Sequence, residues 1–243
     1  MPASADLPPL RDAFHTADQK RAYVRRLFAT IADRYDLITG LLSFGQDKRW
    51  KDRLVSMTGA ASGARALDLA CGTGDIGFHV AARGARTVGL DVTLRMLQLA
   101  RLKTTQNDRI AFVAGDMMAL PFPDAHFDLV TSGYGIRNVP AIEPALHEIS
   151  RVLKPGGLFL SLDFNRPANP MVRSIYLGYL TVVGSVLGFA LHGNPDTYRY
   201  IPESIRRYPG APRVCGMARE QGFTACDWLP VLGGLMAIHK AVK

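Results

Sequence analysis

Cysteine is scarce in this 243-residue chain: Cys71, Cys215 and Cys226 are the only three, an odd number without paired metal-ligand spacing. That excludes a zinc ribbon or a disulfide framework as the organiser of the fold, predicts no metal, and fits a reducing compartment. No internal repeat or low-complexity tract is present, which excludes a solenoid or propeller. Met1 to Arg11 carry prolines and Asp6 instead of a basic start followed by an apolar core, so a secretory signal is not expected and the cytoplasm is the expected location. Acidic side chains are in deficit, 21 Asp+Glu against 29 Lys+Arg, for a net charge of +8. Such an excess attracts nucleic acid, anionic lipid or an acidic substrate, and also serves plain solubility. Aromatics do not interleave regularly with the basic residues and no nucleic-acid-binding motif is present, so no nucleic-acid partner is expected.

What the chain does have is apolar material, 48% of residues against 21% charged, enough for one large α/β domain and too little for a second. Tyr23, Leu27, Phe28 and Ile31 fall at helical spacing, followed by Leu37, Leu41 and Leu42, and predict a helical N-terminal preface over residues 1–59. Ala60 to Gly63 is the expected linker into a domain over 60–243. From Arg65 apolar strands alternate with amphipathic helices: Ala66–Ala70, Ile76–Ala82, Thr87–Asp91, Met96–Leu102, Ile110–Gly115, Phe127–Ser132 and Ala141–Leu153. Lys154-Pro-Gly-Gly157 is expected to turn the chain into a fifth strand, Leu158–Phe164. Phe223–Leu229 and Leu235–Ala241, joined through Pro230 and Gly233-Gly234, supply a closing hairpin. Alternation of this kind predicts an α/β fold: a seven-stranded, mostly parallel sheet with helices on both faces.

The segment Ala66-Leu-Asp68-Leu-Ala-Cys-Gly72-Thr73-Gly74-Asp75 carries the clearest chemistry. It reads as strand, glycine turn and helix start, with Asp91 closing the next strand. Gly72 and Gly74 let the backbone turn sharply and approach a ligand, and an acid after the second strand is placed to accept from a ribose diol. Gly72-x-Gly74-x-x-Gly77 also satisfies the dinucleotide fingerprint, a weak match by itself. Asp68 in the strand end would crowd a pyrophosphate but favour a cationic ligand such as S-adenosylmethionine (SAM), so SAM is preferred to NAD.

Ser174 to Leu191 contains no charge and grazes the length of a membrane span. Gly178, Gly184, Ser185 and Gly188 lower its helix propensity, and it lies between strand five and the rest of the sheet. Lid helices over an apolar substrate pocket, within an insertion around 166–213, are the favoured reading; plain core helices are the rival and a span the least favoured.

Several motifs together resemble the ubiquinone/menaquinone-biosynthesis C-methyltransferases, class I SAM-dependent enzymes with a Rossmann-like fold. They are Phe28-x-x-Ile31-Ala32-x-x-Tyr35-Asp36, Ser43-Phe-Gly45 with Trp50-Lys51, Leu67 to Asp75, Leu120-Pro-Phe-Pro-Asp124, Gly135-Ile-Arg137-Asn138-Val139, Arg151 to Gly157, Asp163-Phe164 with Pro167, and Tyr198-Arg-Tyr200-Ile-x-x-Ser204-Ile205. The glycine loop and Lys154-Pro-Gly-Gly157 are widespread among SAM methyltransferases, whereas Arg137-Asn138-Val139 and Tyr198 to Ile205 are selective. The resemblance implies methyl transfer from SAM to a ring carbon of a polyprenylated quinol precursor, demethylmenaquinol or a ubiquinol precursor. It also implies quinol contacts by Arg137 and Asn138, with an arginine-held water taking the proton, since arginine cannot serve as base. Tyr35 is expected to close over the site as a further catalytic residue, with helix-end packing as the rival. For the cofactor the family positions are Thr73, Asp91, Asp116 and Met117; Asp68, Gly72, Gly74 and Gly133 are added from their places at the strand ends.

The chain departs from the family at Thr39 (commonly asparagine), Asp47-Lys48 (commonly His-Arg) and Gly133 (commonly serine), which bears on the acceptor or lid and leaves the cofactor loop intact. Methylation of another apolar phenol, a non-catalytic SAM-binding membrane adaptor and an NAD-dependent reductase remain as alternatives. Basic residues at Lys20-Arg21, Arg25-Arg26, Lys48-Arg49 and Arg206-Arg207 would flank the substrate entrance and favour peripheral contact with the anionic inner face of the membrane. The headgroup, prenyl length and oligomeric state are left open.

Overall fold

The apolar runs of the sequence become seven strands of one sheet: β1 (Arg65–Leu69), β2 (Arg86–Asp91), β3 (Ile110–Ala114), β4 (Phe127–Gly133), β5 (Leu153–Phe164), β6 (Ala225–Val231) and β7 (Met236–Val242). Their order is β3-β2-β1-β4-β5-β7-β6. Strands β1 to β5 are parallel, and β7 runs antiparallel between β5 and β6. The computed structural model describes residues 7–59, 62–106 and 108–243. Ala60 and Ala61 of the expected linker, and Met1 to Asp6 of the N-terminal segment, lie outside the described residues.

Helices cover both faces, as the pattern predicted. Alternation within β4 sends Val130 into a cluster with Leu146 and Ile149 of α6 (Ile142–Val152) and Cys215 and Ala218 of α9 (Ala211–Glu220). Its neighbour Leu129 joins the opposite cluster, with Ile76 and Val80 of α4 (Asp75–Ala82) and Leu54 and Val55 of α3 (Asp47–Ser56). Helix α5 (Leu94–Lys103) packs Leu97 and Ala100 against Phe112 of β3.

The preface is helical. α1 (Ala17–Ile31) starts at Thr16, whose hydroxyl accepts from Gln19 N, an N-cap that satisfies an otherwise free donor. It buries Tyr23, Val24, Leu27 and Ile31, spaced to form one stripe. That stripe meets Tyr198 and Tyr200 of α8 (Asp196–Arg207), and Ile38 of α2 (Tyr35–Leu42) completes the cluster. The N-terminal helices and the insertion after β5 thus form a single cap over the carboxyl edge of the sheet.

Three local expectations differ from the structure. Lys154-Pro-Gly-Gly157 is a bulge within β5 instead of a turn before it: Phe127 pairs with Leu153, then the register shifts so that Leu129 pairs with Leu158, and Gly156 takes φ +76°. Pro230 falls inside β6, where an edge strand tolerates its missing N–H; the hairpin turns through Leu232–Gly234. Finally, the glycines of the uncharged segment do not break it. One helix, α7, runs from Pro170 to His192. Asn169 Oδ1 accepts from Met171 N and Val172 N at its start, and Gly193 ends it at φ +67°. Gly184 and Gly188 are there for close approach: a Cβ on them would meet Tyr198 O at 3.1 Å and Asn194 O at 2.6 Å. The propensity cost of glycine is offset by packing against α8 that a larger residue would prevent.

Candidate functional site

Strand order reverses between β1 and β4, because β2 follows β1 on one side and β5 follows β4 on the other. Open α/β sheets bind ligands at such a switch point, outside the carboxyl ends of the strands. Here a cleft is lined by Ala70, Gly72, Asp91, Val92, Thr93, Gly115, Asp116, Met117, Gly133 and Gly135, with Tyr35, Tyr134 and Asn138 closing it. Asp91 ties the loops together: Oδ2 accepts from Gly72 N at 2.9 Å and Oδ1 from Thr93 N at 2.7 Å. Burial raises its pKa, and those backbone donors oppose the shift. Asp116 receives Met118 N on Oδ1 and Arg21 on Oδ2 at 3.1 Å, which fastens α1 over this edge. Space above the glycine loop is bounded by the Tyr35 ring, 3.9 Å from where a Cβ on Gly72 would stand.

Other expected cofactor residues lie beside the cleft. Asp68 is fully buried; Oδ2 accepts from Gly77 N at 2.9 Å and Oδ1 from the Thr131 hydroxyl at 2.8 Å. It joins the α4 N-terminus to the sheet and does not line the cleft, and burial pushes its pKa up to about 7. Gly74, at φ +92°, is the N-cap of α4. Thr73 donates to Asp36 Oδ1 at 2.7 Å, the first link of a polar chain the sequence did not disclose. Lys103 joins Asp36 (2.8 Å) to Asp75 (3.5 Å), Lys51 joins Asp75 (2.9 Å) to Asp47 (2.6 Å), and Tyr134 donates its hydroxyl to Asp47 at 2.6 Å. Burial opposes charge on Lys51, but Asp75 and Asp47 outweigh it and raise its pKa. The chain staples α2 and α3 to the glycine loop. Asp47 and Tyr134 are more than 80 residues apart, and no local pattern links them.

A second cavity, of about 400 Å³, adjoins the first across Tyr35, Phe28, Tyr134 and Asn138, which line both. Its wall is apolar: Leu27, Ile31, Ile38 and Leu42 from the preface, Tyr176, Tyr179 and Leu180 from α7, Tyr200 and Ile201 from α8, and Leu235 and Met236 from the end of the hairpin. Burial pushes the Tyr35 phenol up to about 12 and raises Tyr134 well above the usual phenol range, so both stay neutral near neutral pH. At this junction sits the Arg137-Asn138 turn. Arg137 is 5% exposed. Its N donates to Asp163 Oδ2 at 3.0 Å, Nε to Asp163 Oδ1 at 3.2 Å, and Nη1 to the Ser204 hydroxyl. The ion pair is therefore buried. Burial raises the Asp163 pKa against the pull of the Arg137 charge. From below, Lys20 Nζ donates to the Arg137 and Val139 carbonyls; burial, and then the Arg137 charge, lowers its pKa to about 8. Asn138 donates Nδ2 to Tyr134 O at 2.7 Å, while its buried Oδ1 has no partner among the described residues.

The site is therefore two chambers, one polar and made of strand ends, one apolar and made of helices, meeting at an unpaired acceptor. The polar chamber suits SAM: a carboxylate ends β2 for the ribose diol, Asp116 and Met117 end the turn after β3, and an open glycine loop lies between them. The family model for the ubiE/COQ5 methyltransferase family matches residues 16–243. The chain is 39% identical over 229 residues to "Ubiquinone/menaquinone biosynthesis C-methyltransferase UbiE" of Paracoccus denitrificans, covering 92% of each chain. To the protein of that name in Hahella chejuensis it is 35% identical over 231 residues, 93% of each chain. Among solved structures, a SAM-dependent methyltransferase of Thermotoga maritima shares the fold with a TM-score of 0.63 at 16% identity, over 90% of this chain and 99% of that one. The cofactor is SAM, and the chain belongs to the ubiE/COQ5 methyltransferase family.

Proposed function

We propose that this enzyme transfers the methyl group of SAM to a ring carbon of a polyprenylated quinol precursor, demethylmenaquinol or a ubiquinol precursor, at the junction of the two chambers. The observation that carries the reading is the pairing of a large apolar cavity with a buried acceptor that is unpaired among the described residues, Asn138 Oδ1, where the cavity meets the cofactor cleft; the Thr197 and Tyr200 hydroxyls of the cavity wall are likewise unpaired. A quinol hydroxyl is a donor for that acceptor, and a prenyl tail fills the apolar wall; a buried acceptor left unpaired costs about 1–3 kcal/mol. The names of the relatives agree with this acceptor class.

Bound SAM would supply an electrophilic sulfonium methyl to a ring carbon made electron-rich by loss of a phenolic proton, giving the C-methylated quinol, S-adenosylhomocysteine and one proton to solvent. The chain's part is placement, the largest service available to a reaction needing no covalent enzyme intermediate. Tyr35 and Tyr134 form the wall that keeps water from the reacting carbon. Arg137, committed to Asp163 and Ser204, holds the turn that presents Asn138. Access to a bilayer-resident acceptor calls for peripheral contact with the anionic, cytoplasmic face of the membrane.

The test is incubation with SAM carrying a CD₃ group and either reduced or oxidised demethylmenaquinone or ubiquinone precursor. The expected result is one CD₃ on a ring carbon, found by mass and fragmentation, with the reduced acceptors only. An O-methyl product, or equal turnover of oxidised acceptor, contradicts the mechanism. The second reading, methylation of a smaller apolar phenol, gains support if prenyl-free phenols turn over as well as prenylated ones.

A further inference from the structure

Helix α7 keeps only one face inside the protein. Tyr176, Leu177, Leu180, Gly184 and Gly188 are buried, and 28% of its apolar window is buried in all. The other face is large and apolar: Met171, Ile175, Tyr179, Val182, Val186 and Phe189 recur every three or four residues and range from 39% to 73% exposed. Along a helix about 35 Å long, that spacing makes a continuous stripe. Its polar groups are answered internally, Thr181 donating to Leu177 O and Ser185 to Thr181 O. A second element extends the surface: Phe44, 75% exposed, stacks on Tyr179 with ring centroids 6.3 Å apart, and Leu37 and Leu41 of α2 are exposed beside it. Isolated exposed apolar residues need no explanation; a patch of this extent does.

Two features say what covers it. The mouth of the apolar cavity opens through the patch, because Phe44 and Tyr179 belong to both, together with half-exposed Leu232. Cations also bracket the stripe. Arg173 lies in the first turn of α7, and Arg34 donates to Leu191 O at its far end. Lys48 and Arg49 are exposed just after Phe44. None of the four has a carboxylate partner among the described residues, whereas the nearby acids Asp33, Asp36 and Asp196 are paired with Arg95, Lys103 and Arg199. An apolar face flanked by unpaired cations is the composition of a helix that lies in the headgroup region of an anionic bilayer.

We infer that α7, with Phe44 and the exposed edge of α2, is a membrane-docking face that lies in the plane of an anionic bilayer and turns the mouth of the apolar cavity toward the hydrocarbon. The inference rests on the prenylated acceptor of the proposed function, since only such a ligand needs that mouth to face lipid. A span is excluded by the packing of α7 on α8: crossing the bilayer would strip Gly184 and Gly188 from their backbone contacts. The face sorts substrates by their tails, because an acceptor enters by sliding from the bilayer past Phe44 and Tyr179 without crossing water.

The experiment is flotation with vesicles of phosphatidylcholine containing roughly one third phosphatidylglycerol, over a salt series, using wild type and the double variant Val182→Glu/Val186→Glu. Neither valine lines a cavity. Wild type floats at low salt and is partly released as salt rises; the double variant partitions at least about tenfold less, while methylating a short-prenyl, water-soluble quinol at the wild-type rate. In a Phe189→Trp variant, emission shifts to shorter wavelength when vesicles are added, an independent readout that does not depend on the glutamates. Wild type that stays with the lipid-free fraction, a double variant that floats normally, or wild type that only detergent extracts overturns the docking face. So does a wild-type dimer by light scattering that the double variant converts to monomer, since a second copy would then cover the stripe. Vesicle binding without turnover of any quinol sinks the acceptor assignment alone, and quinol turnover without vesicle binding sinks the docking face alone.

Discussion

The cofactor cleft and the apolar cavity share a wall but are assembled in opposite ways. Most of the cleft comes from the ends of β1 to β4 and the turns that follow them, Ala70 to Pro140. Its polar contacts are short-range in space and often in sequence, as in Asp91 holding Gly72 and Thr93. The cavity draws on α1, α2, α7, α8 and the closing hairpin, from Leu27 to Met236, and almost all of its lining is side chain. Backbone geometry sets the first, so the chemistry it accepts is narrow. Side-chain packing sets the second, so its shape changes with substitution while the cleft does not, and the acceptor can vary over a constant cofactor.

That contrast is open to attack at several points. The largest effect is expected where the two chambers are joined. Arg137→Ala leaves the Asp163 carboxylate buried without its cation and lowers folding stability by about 3–5 kcal/mol, readable in urea unfolding; Arg137→Lys keeps the charge, loses the fork and falls between. An exposed pair would show almost no loss, which would make the junction incidental.

Asp68 tests whether the cleft rests on a polar core. Native Asp68 keeps its proton up to about pH 7, against 3.8 when unperturbed. In that window the native state binds more protons than the unfolded one, so its contribution to stability is present below pH 4 and is lost as pH rises through 7. Asp68→Asn can accept from Gly77 N and donate to Thr131, and does not titrate. Its stability relative to wild type therefore improves between pH 4 and 7, by an amount on the order of 4 kcal/mol. A pH-independent difference in chemical denaturation would contradict the assigned cause.

Asp91→Ala removes both a cleft acceptor and the clamp on the glycine loop. Calorimetric titration with S-adenosylhomocysteine should show a loss of about 2 kcal/mol, roughly thirtyfold in affinity, with the KM for acceptor little changed. Leu42→Asn probes the other chamber. It should raise the KM for a long-prenyl acceptor about fivefold, near 1 kcal/mol, and leave S-adenosylhomocysteine binding intact. Equal effects on both ligands would dissolve the division between chambers. Smallest is Tyr134→Phe, which removes one hydrogen bond from an Asp47 that Lys51 still holds; about 1 kcal/mol of stability is the expected loss.

The division also explains what could be read from residues alone. Strand–turn–helix repeats are local, so the parallel sheet and the loops at Gly72 and Asp91 were legible from apolar runs, glycines and a single acid. The places where reading failed are those where distant packing overrides local preference. Gly184 and Gly188 weaken a helix in isolation, yet α7 is continuous because Gly184 admits the α8 backbone and Gly188 the turn that leads into it. Lys154-Pro-Gly-Gly157 has the composition of a turn, and pairing with β4 on both sides draws it into β5 as a bulge. Asp68 has the right position on β1 for a ligand contact, but Gly77 and Thr131 claim both its oxygens. The Tyr134–Asp47–Lys51–Asp75 chain joins segments with no shared local pattern.

The claim that both chambers serve one reaction is tested most directly by a crystal structure of the protein with S-adenosylhomocysteine and a short-prenyl quinol. The account predicts the nucleoside at Asp91 and Asp116, a quinol hydroxyl on Asn138 Oδ1, the prenyl group against Leu42 and Leu180, and a ring carbon facing the sulfur between Tyr35 and Tyr134. A quinol bound outside the apolar cavity, or with its ring turned away from the sulfur and Asn138 still unpaired, would contradict it.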